Sequence, residues 1–550
     1  MTYSAPQFPT DSQDKSLQPQ IQPSAKTSEN PDRLSRRFFL GAGVGAAGTA
    51  AAAAALVQPA AAAGPFRDSA CQTSPPSGSV TANTTACGED PPPYRLVHFN
   101  PTCIAPSQKG KLNLPLSVEL APFTYQCAAD TTKQVMARTF KGTVPGPSMV
   151  IDPGDRIQLK ITNKLPPNMI GDKDGECPAS DSNSKALLNH PSCFDTFNMH
   201  FHGLHVSPGS YCIPTEDGLS TAKVLSSDDV LYQLPPREHE KEPFPKHNWC
   251  VWLPEFHAPG THWYHAHRHG STGLQVSNGM AGAIIIRERP EYQIVSPADD
   301  KIWVIQEIIL PSQTDENQQD KDLAVYQRGG IAGGGTQGDF LVNGRFQPTI
   351  TLRAEHIQRW RFINANATPR GFMKLKLLKI NDDPNTSPSS SEDLDPKNGD
   401  QAPLWLIAVD GISFYGKPPT LIGRNGNATG LDGWDVAAGN RADFLVQLDK
   451  GWYKVVKDTS RAAQRGSTAA QVLAYVKVEP GSTEQTIPEK VPGIPLESPD
   501  NPYKRYLRPI TDAEVQDSDG NIITKQSITF SREVPTSGAH PPKSSKLLYQ

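Results

Sequence analysis

From residue 112 onward, apolar residues fall at every second position in short runs. Arg156-Ile157-Gln158-Leu159-Lys160-Ile161 shows the alternation most plainly. Successive side chains of an extended chain point to opposite faces, so this period predicts a strand with one face buried. Runs of the same kind lie at 112–120, 134–140, 148–151, 156–161, 197–206, 260–267 and 281–286. Pro145-Gly146-Pro147 and Pro153-Gly154-Asp155 mark turns between them. They predict one all-β domain over 105–290, interrupted by a polar, cysteine-bearing insertion near 166–195. A second series, at 302–306, 340–342, 349–352, 358–363, 373–380, 404–409, 443–447 and 472–478, predicts a second β domain over 298–485. Residues 382–402 are polar and hold Pro384, Pro388 and Pro396, which predicts an exposed, disordered loop. A proline-rich linker runs from about 488 to 503. The strand at 527–530 opens an incomplete third domain over 505–550.

Composition agrees with this picture. The 52 prolines and 43 glycines suit many short strands joined by turns. With 53 basic and 57 acidic residues the formal net charge is −4, which gives no argument for nucleic acid or an anionic membrane as partner. The first 64 residues stand apart from the fold. Residues 1–32 are polar and without periodicity, which reads as disorder. Arg36-Arg37 then precede an apolar stretch rich in alanine and glycine, ending at Ala60-Ala61-Ala62-Ala63. This pattern resembles a twin-arginine export signal and predicts a periplasmic or extracellular protein. So much alanine and glycine makes the run a poor membrane anchor. Residues 65–104 are irregular and carry three of the eight cysteines. None of the eight forms a Cys-x-x-Cys pair, which argues against zinc ribbons and thioredoxin-like chemistry. Their even number suits disulfides in an oxidising compartment, although buried thiols are equally compatible and the connectivity is open.

The chemistry lies in the histidines. Seven of the 14 fall in two segments, Asn198-Met199-His200-Phe201-His202-Gly203-Leu204-His205 and Gly260-Thr261-His262-Trp263-Tyr264-His265-Ala266-His267-Arg268-His269. On a strand, residues two apart share a face, so His200 pairs with His202 and His265 with His267. A lone histidine is usually a hydrogen-bonded structural residue. Two His-x-His pairs in one β domain predict a metal platform instead, because imidazole suits copper, zinc, iron and nickel. Structural zinc more often includes cysteine, and none is near these pairs in sequence. His205, His262 and His269 read as supporting hydrogen-bond partners or exposed residues.

"HFHGLH" followed by "GTHWYHAHRHGSTGLQVSNGMAGAIII" resembles the paired copper motifs of the bacterial, laccase-like multicopper oxidase family, as "GTVPGPSMVIDPGDRIQLKITNKL" resembles the strands before them. "GDFLVNGRFQPTITLRAEHIQRWRFINANATPRGF" is similar to the family's middle domain. The resemblance covers about residues 110–480. It implies tandem cupredoxin-like Greek-key β-barrels, copper as cofactor, and dioxygen and a reducing substrate as partners. His200 matches a type 2 copper ligand; His202, His265 and His267 match ligands of the type 3 pair, with His267 on the copper opposite that held by His202 and His265. The family also needs a His-x-x-His-x-His segment and a final His-Cys-His segment. This sequence has neither, since Cys250 has no flanking histidine and only His356 and His540 follow residue 270. The resemblance therefore implies a chain with half the trinuclear ligands, no type 1 site, a truncated third domain and no activity alone. Its alternatives are a non-catalytic copper-binding or interaction protein of the cell envelope and an enzyme half completed by a partner covering the place of the third domain.

Overall fold

Lys111–Ala128 shows how the sequence makes these strands. Leu112, Leu114, Leu116 and Val118 are buried, while Lys111, Asn113 and Pro115 between them are exposed. Pro115 has no N–H to give a ladder, and over this half the strand pairs on one side only, in parallel with Arg156–Asn163. The computed structural model describes residues 103–128, 131–171, 176–177, 192–206, 228–309, 338–367, 371–459, 470–481, 484–496 and 498–503. The export signal, almost all of the irregular segment 65–104 and the start of a third domain lie outside these residues.

Nine strands form the first sheet pair: β1 (Ile104–Pro106), β2 (Lys111–Ala128), β3 (Thr131–Phe140), β4 (Ser148–Ile151), β5 (Arg156–Asn163), β6 (Met199–His202), β7 (Lys246–Trp252), β8 (Gly260–Ala266) and β9 (Ala281–Ile286). One sheet runs β1-β4-β9-β8-β6 and the other β3-β2-β5-β7; β2–β3 and β8–β9 are hairpin neighbours and the other successive strands cross between sheets. Leu114, Leu159, Phe201, Tyr264 and Ile284 fill the space between them. In the second pair, β10 (Asp300–Ile309) lies between β11 (Gly338–Val342) and Gln358–Asn364, and that sheet continues through Arg441–Val446 to Leu404–Val409. It faces a sheet of Thr349–Arg353, Gln471–Glu479, Gly451–Thr459 and Met373–Asn381 across a core holding Trp303, Trp360, Phe362 and Phe444. The fold class is all-β, in two sheet pairs that follow one another along the chain. Among the described residues no helix is long and apolar enough to cross a membrane.

The structure departs from the sequence expectation in several places, among them the strands β1 and β7, which the expected runs did not include. Gly451–Thr459 was hidden because Lys454 and Lys457 break its apolar pattern, yet both are buried. Lys454 Nζ donates to the carbonyls of Asp393 and Asp395, and Lys457 Nζ lies 4.0 Å from the Phe340 ring centroid. The loop at 382–402 is exposed but ordered: Ser390 and Asp393 form a capping box on the short helix Ser391–Leu394, and Trp452 Nε1 donates to the Pro384 carbonyl. The strand expected over 197–206 stops at His202, because Gly203 takes a φ of +90°. A helix, Thr272–Ser277, follows β8 and is too short to show a period. As for the cysteines, Cys177 and Cys193 form a disulfide, Cys103 and Cys250 are also oxidised, and among the described residues none is free.

The two sheet pairs meet face to face. Val150, Trp263, Ala283 and Ile285 of the first pack on Ile302, Val304 and Ile363 of the second. Beside this apolar patch lies a buried ionic network. Asp443 accepts hydrogen bonds from Arg359 at 2.7 Å, Thr261 at 2.9 Å and Arg361 at 3.3 Å. Arg359 also reaches Glu288, and Arg361 grips Asp300 with two bonds. Removing one member leaves opposite charges buried without compensation, so Asp443→Ala should cost roughly 3–5 kcal/mol in denaturant unfolding. A loss below about 1 kcal/mol, the scale of an exposed pair, would contradict this.

A neutral histidine group sits at the same junction. His257 donates from Nδ1 to the Ala258 carbonyl and accepts the His205 N–H at Nε2, which fixes a neutral tautomer. Burial, opposed in part by the Ala258 bond, pulls its pKa from 6.5 down to about 4. Above pH 6.5 folded and unfolded chains both carry a neutral ring. Between 6.5 and 4 only the unfolded chain takes the proton, so stability falls as pH falls, by about 3 kcal/mol in all at 1.36 kcal/mol per unit. The stability difference between the metal-free protein and His257→Phe should therefore slope with pH across this window and level off above pH 7. A difference flat from pH 7 to pH 4.5 would refute the assignment.

Candidate metal centre

β6 and β8 are antiparallel neighbours with His200 directly opposite His265 and His202 opposite Trp263. Alternation sends Met199 and Phe201 of β6 into the core and His200 and His202 to the outer face. On β8 it sends Tyr264 and Ala266 inward and Thr261, Trp263 and His265 outward. His267, just past the strand end, joins the same side. The His200 ring centroid lies 5.4 Å from that of His202, 5.2 Å from His265 and 5.0 Å from His267. His265 is 5.5 Å from both His202 and His267. Ring nitrogens of His200, His202 and His265 all lie within 4.8 Å of one another. The four sequence-predicted ligands thus converge on one surface.

Neighbours fix how each ring presents itself. His200 Nδ1 faces both carboxylate oxygens of Asp228 at 3.0 and 3.1 Å and so carries the proton, leaving Nε2 with a lone pair. His265 Nδ1 donates to the Ala266 carbonyl at 2.8 Å, which likewise frees Nε2. Trp263 stacks on His265 at 4.2 Å and on His202 at 5.0 Å. Asn198 Oδ1 accepts the His267 N–H, and its amide donates to the Val230 carbonyl, tying the His267 backbone to the segment that carries Asp228.

Burial keeps three of the rings, those of His202, His265 and His267, neutral. Burial, helped by Arg441 and then His200, lowers the His202 pKa to about 4. Burial also holds His265 well below its ordinary value and lowers His267. Metal ligation requires neutral imidazole, so these rings need not shed protons at neutral pH. His202 Nδ1 and His265 Nε2 are 3.3 Å apart, a separation two nitrogens adopt when both bind one ion through bonds of about 2 Å. His267 Nδ1 is buried with no hydrogen-bond partner. An all-imidazole donor set of this kind fits copper.

The remaining histidines fall elsewhere. His262 points to the core side of β8, with both nitrogens buried and unpartnered, and its ring lies 5.6 Å from His257. A Cβ on Gly203 would come 2.8 Å from its Nδ1 and 2.5 Å from Arg441, so glycine there admits both. His205 is exposed, and His269 is exposed with its ring 5.7 Å from His267. His356 pairs with Asp299, and His247 stacks on Tyr232. Sequence reasoning missed Asp228, Asn198 and Trp263. Asp228 lies 28 residues from His200, and no local spacing announces such a contact.

A model of the multicopper oxidase family matches residues 243–291. A laccase from Bacillus stratosphericus is 25% identical over 240 residues, which are 42% of this chain and 41% of that protein. Copper resistance protein A from Escherichia coli is 24% identical over 215 residues, 38% of this chain and 26% of that protein. The chain thus spans less than half the length of these curated relatives. Among solved structures, the McoA multicopper oxidase of Aquifex aeolicus is similar with a TM-score of 0.48 at 16% identity, covering 80% of this chain and 73% of that one. A Campylobacter jejuni multicopper oxidase gives 0.44 at 16% identity, covering 76% and 67%. The family model fits the segment that carries His265 and His267, and over that segment the chain is similar to multicopper oxidases.

Proposed function

We propose that residues 105–290 and 298–485 are two cupredoxin-like domains of a laccase-like oxidase, and that His200, His202, His265 and His267 hold copper. The observation that carries this reading is the convergence of four imidazoles on the outer face of β6 and β8. His200 takes the type 2 position and the other three belong to the type 3 pair, His267 serving the second copper of that pair. Bound copper supplies one-electron redox chemistry, by which such oxidases couple oxidation of a reducing substrate to reduction of dioxygen to water. The protein's own residues do the preparatory work. Asp228 holds the His200 proton at Nδ1, the Ala266 carbonyl does the same for His265, and Trp263 shields two rings from water on the junction side. A trinuclear site would need four imidazoles in addition to these, and a type 1 site a thiolate. Export through Arg36-Arg37 would deliver the folded protein to the periplasm or beyond.

A second reading, a copper-binding envelope protein without oxidase activity, is favoured by one observation. Cys250 lies in the core region, lacks flanking histidines and is oxidised, so it cannot serve as a type 1 thiolate. Copper titration of residues 1–550 addresses both readings. His200→Ala or His265→Ala should each weaken copper binding by about 10–100-fold, and Asp228→Asn by about tenfold. Residues 1–550 alone should show no intense blue absorption and no oxygen uptake with a phenolic substrate. Unchanged affinity in the His200→Ala, His265→Ala double variant would overturn the ligand assignment. Blue colour with turnover would overturn the ligand accounting. For the signal, replacing Arg36 and Arg37 by lysine should retain the precursor in the cytoplasm, and normal export would remove that part of the reading.

A further inference from the structure

His269 is not among the four ligands, yet it stands at their edge. Burial is graded along the cluster: His269 is exposed, His200 and His267 are half-buried, and His265 is only 6% exposed. Spacing is nearly even, at 5.7 Å from His269 to His267, 5.0 Å from His267 to His200 and 5.5 Å from His267 to His265. Two rings that share one ion through bonds of about 2 Å have centroids about 5–6 Å apart, a spacing that each neighbouring pair matches. The His269 turn is also pinned. Arg268, buried beneath it, donates to the Ser192 carbonyl, the Ser192 N–H donates to the Gly270 carbonyl at 3.0 Å, and the Ser271 and Thr272 N–H groups return to the Arg268 carbonyl. The opposite side is closed, since Trp263 covers His202 and a Cβ on Gly439 would come 3.3 Å from His202 Cε1.

We propose that His269 is the outer rung of an imidazole ladder by which copper reaches the buried ligands, capturing the ion from solution and passing it to His267 and then to His200 and His265. At each step the incoming nitrogen bonds before the outgoing one releases, so the ion is never returned to water and no electron moves. The Asp228 carboxylate, near His267, favours a cation at the middle rung. His269 is a loading ligand and holds no copper at equilibrium. The proposal rests on the reading of the four histidines as copper ligands.

The test mixes the metal-free full chain rapidly with Cu(II), or with Cu(I) under anaerobic conditions. It follows uptake by freeze-quench paramagnetic resonance and by metal counting after removal of free ion. His269→Gln, an exposed substitution, should load about tenfold more slowly, the scale at which a supporting ligand acts. Its final copper content and spectrum should match the wild type. His269→Met, with a soft thioether, should restore loading of Cu(I) and not of Cu(II). Wild-type loading rates in His269→Gln would overturn the ladder, as would reduced copper content at equilibrium, which would make His269 a resident ligand. A wild-type chain that takes up no copper would remove the ligand reading beneath it, an outcome distinct from either.

Discussion

The centre depends on one constraint, the register of β6 against β8. Because side chains alternate strictly along a strand, a slip of one residue would turn His200 and His202 into the core and Met199 and Phe201 out to solvent. The slip is opposed by what else rides on the same alternation. Phe201 and Tyr264 are fully buried in the first core, and Trp263, on the metal face, is buried against the second sheet pair. Burying such side chains contributes about 1.5–3 kcal/mol each, so the apolar residues fix where the polar ones must stand.

The outer face of β8 therefore has two uses in one short strand. The residues at its start and middle, Thr261 and Trp263, bind the second sheet pair through Asp443, Arg361 and an apolar patch. His265, next on the same face, stands with the other three histidines of the cluster. Close backbone approach makes this possible: a Cβ on Gly260 would fall 2.2 Å from the Gly411 carbonyl oxygen, so the junction admits only glycine at the head of β8. A disturbance of the junction between the sheet pairs reaches the clustered histidines through four residues of strand, with no loop between.

Much of this was legible in the sequence. Period two gave β4, β5 and β9 with nearly their observed limits, and His-x-His spacing gave four histidines that the fold brings together, since both signals are local. What was not legible is long-range. Lys454 and Lys457 look like solvent-facing residues until the carbonyls and the ring that receive them are known. Residues 382–402 look disordered by composition, yet a capping box and the Trp452 bond order them. Asp228 is one of several acidic residues in a polar stretch, and only the fold brings it to His200. The turn that holds His269 likewise depends on Ser192, far away in sequence.

The most direct test of the central claim is to count imidazoles on the metal. Pulsed paramagnetic resonance of the Cu(II)-loaded chain reports the nitrogens of each coordinated ring. The account predicts at least two equivalent imidazole signals, lost when His200 and His265 are both replaced by alanine. A spectrum with oxygen coordination alone, or with imidazole signals that survive the double replacement, would contradict it.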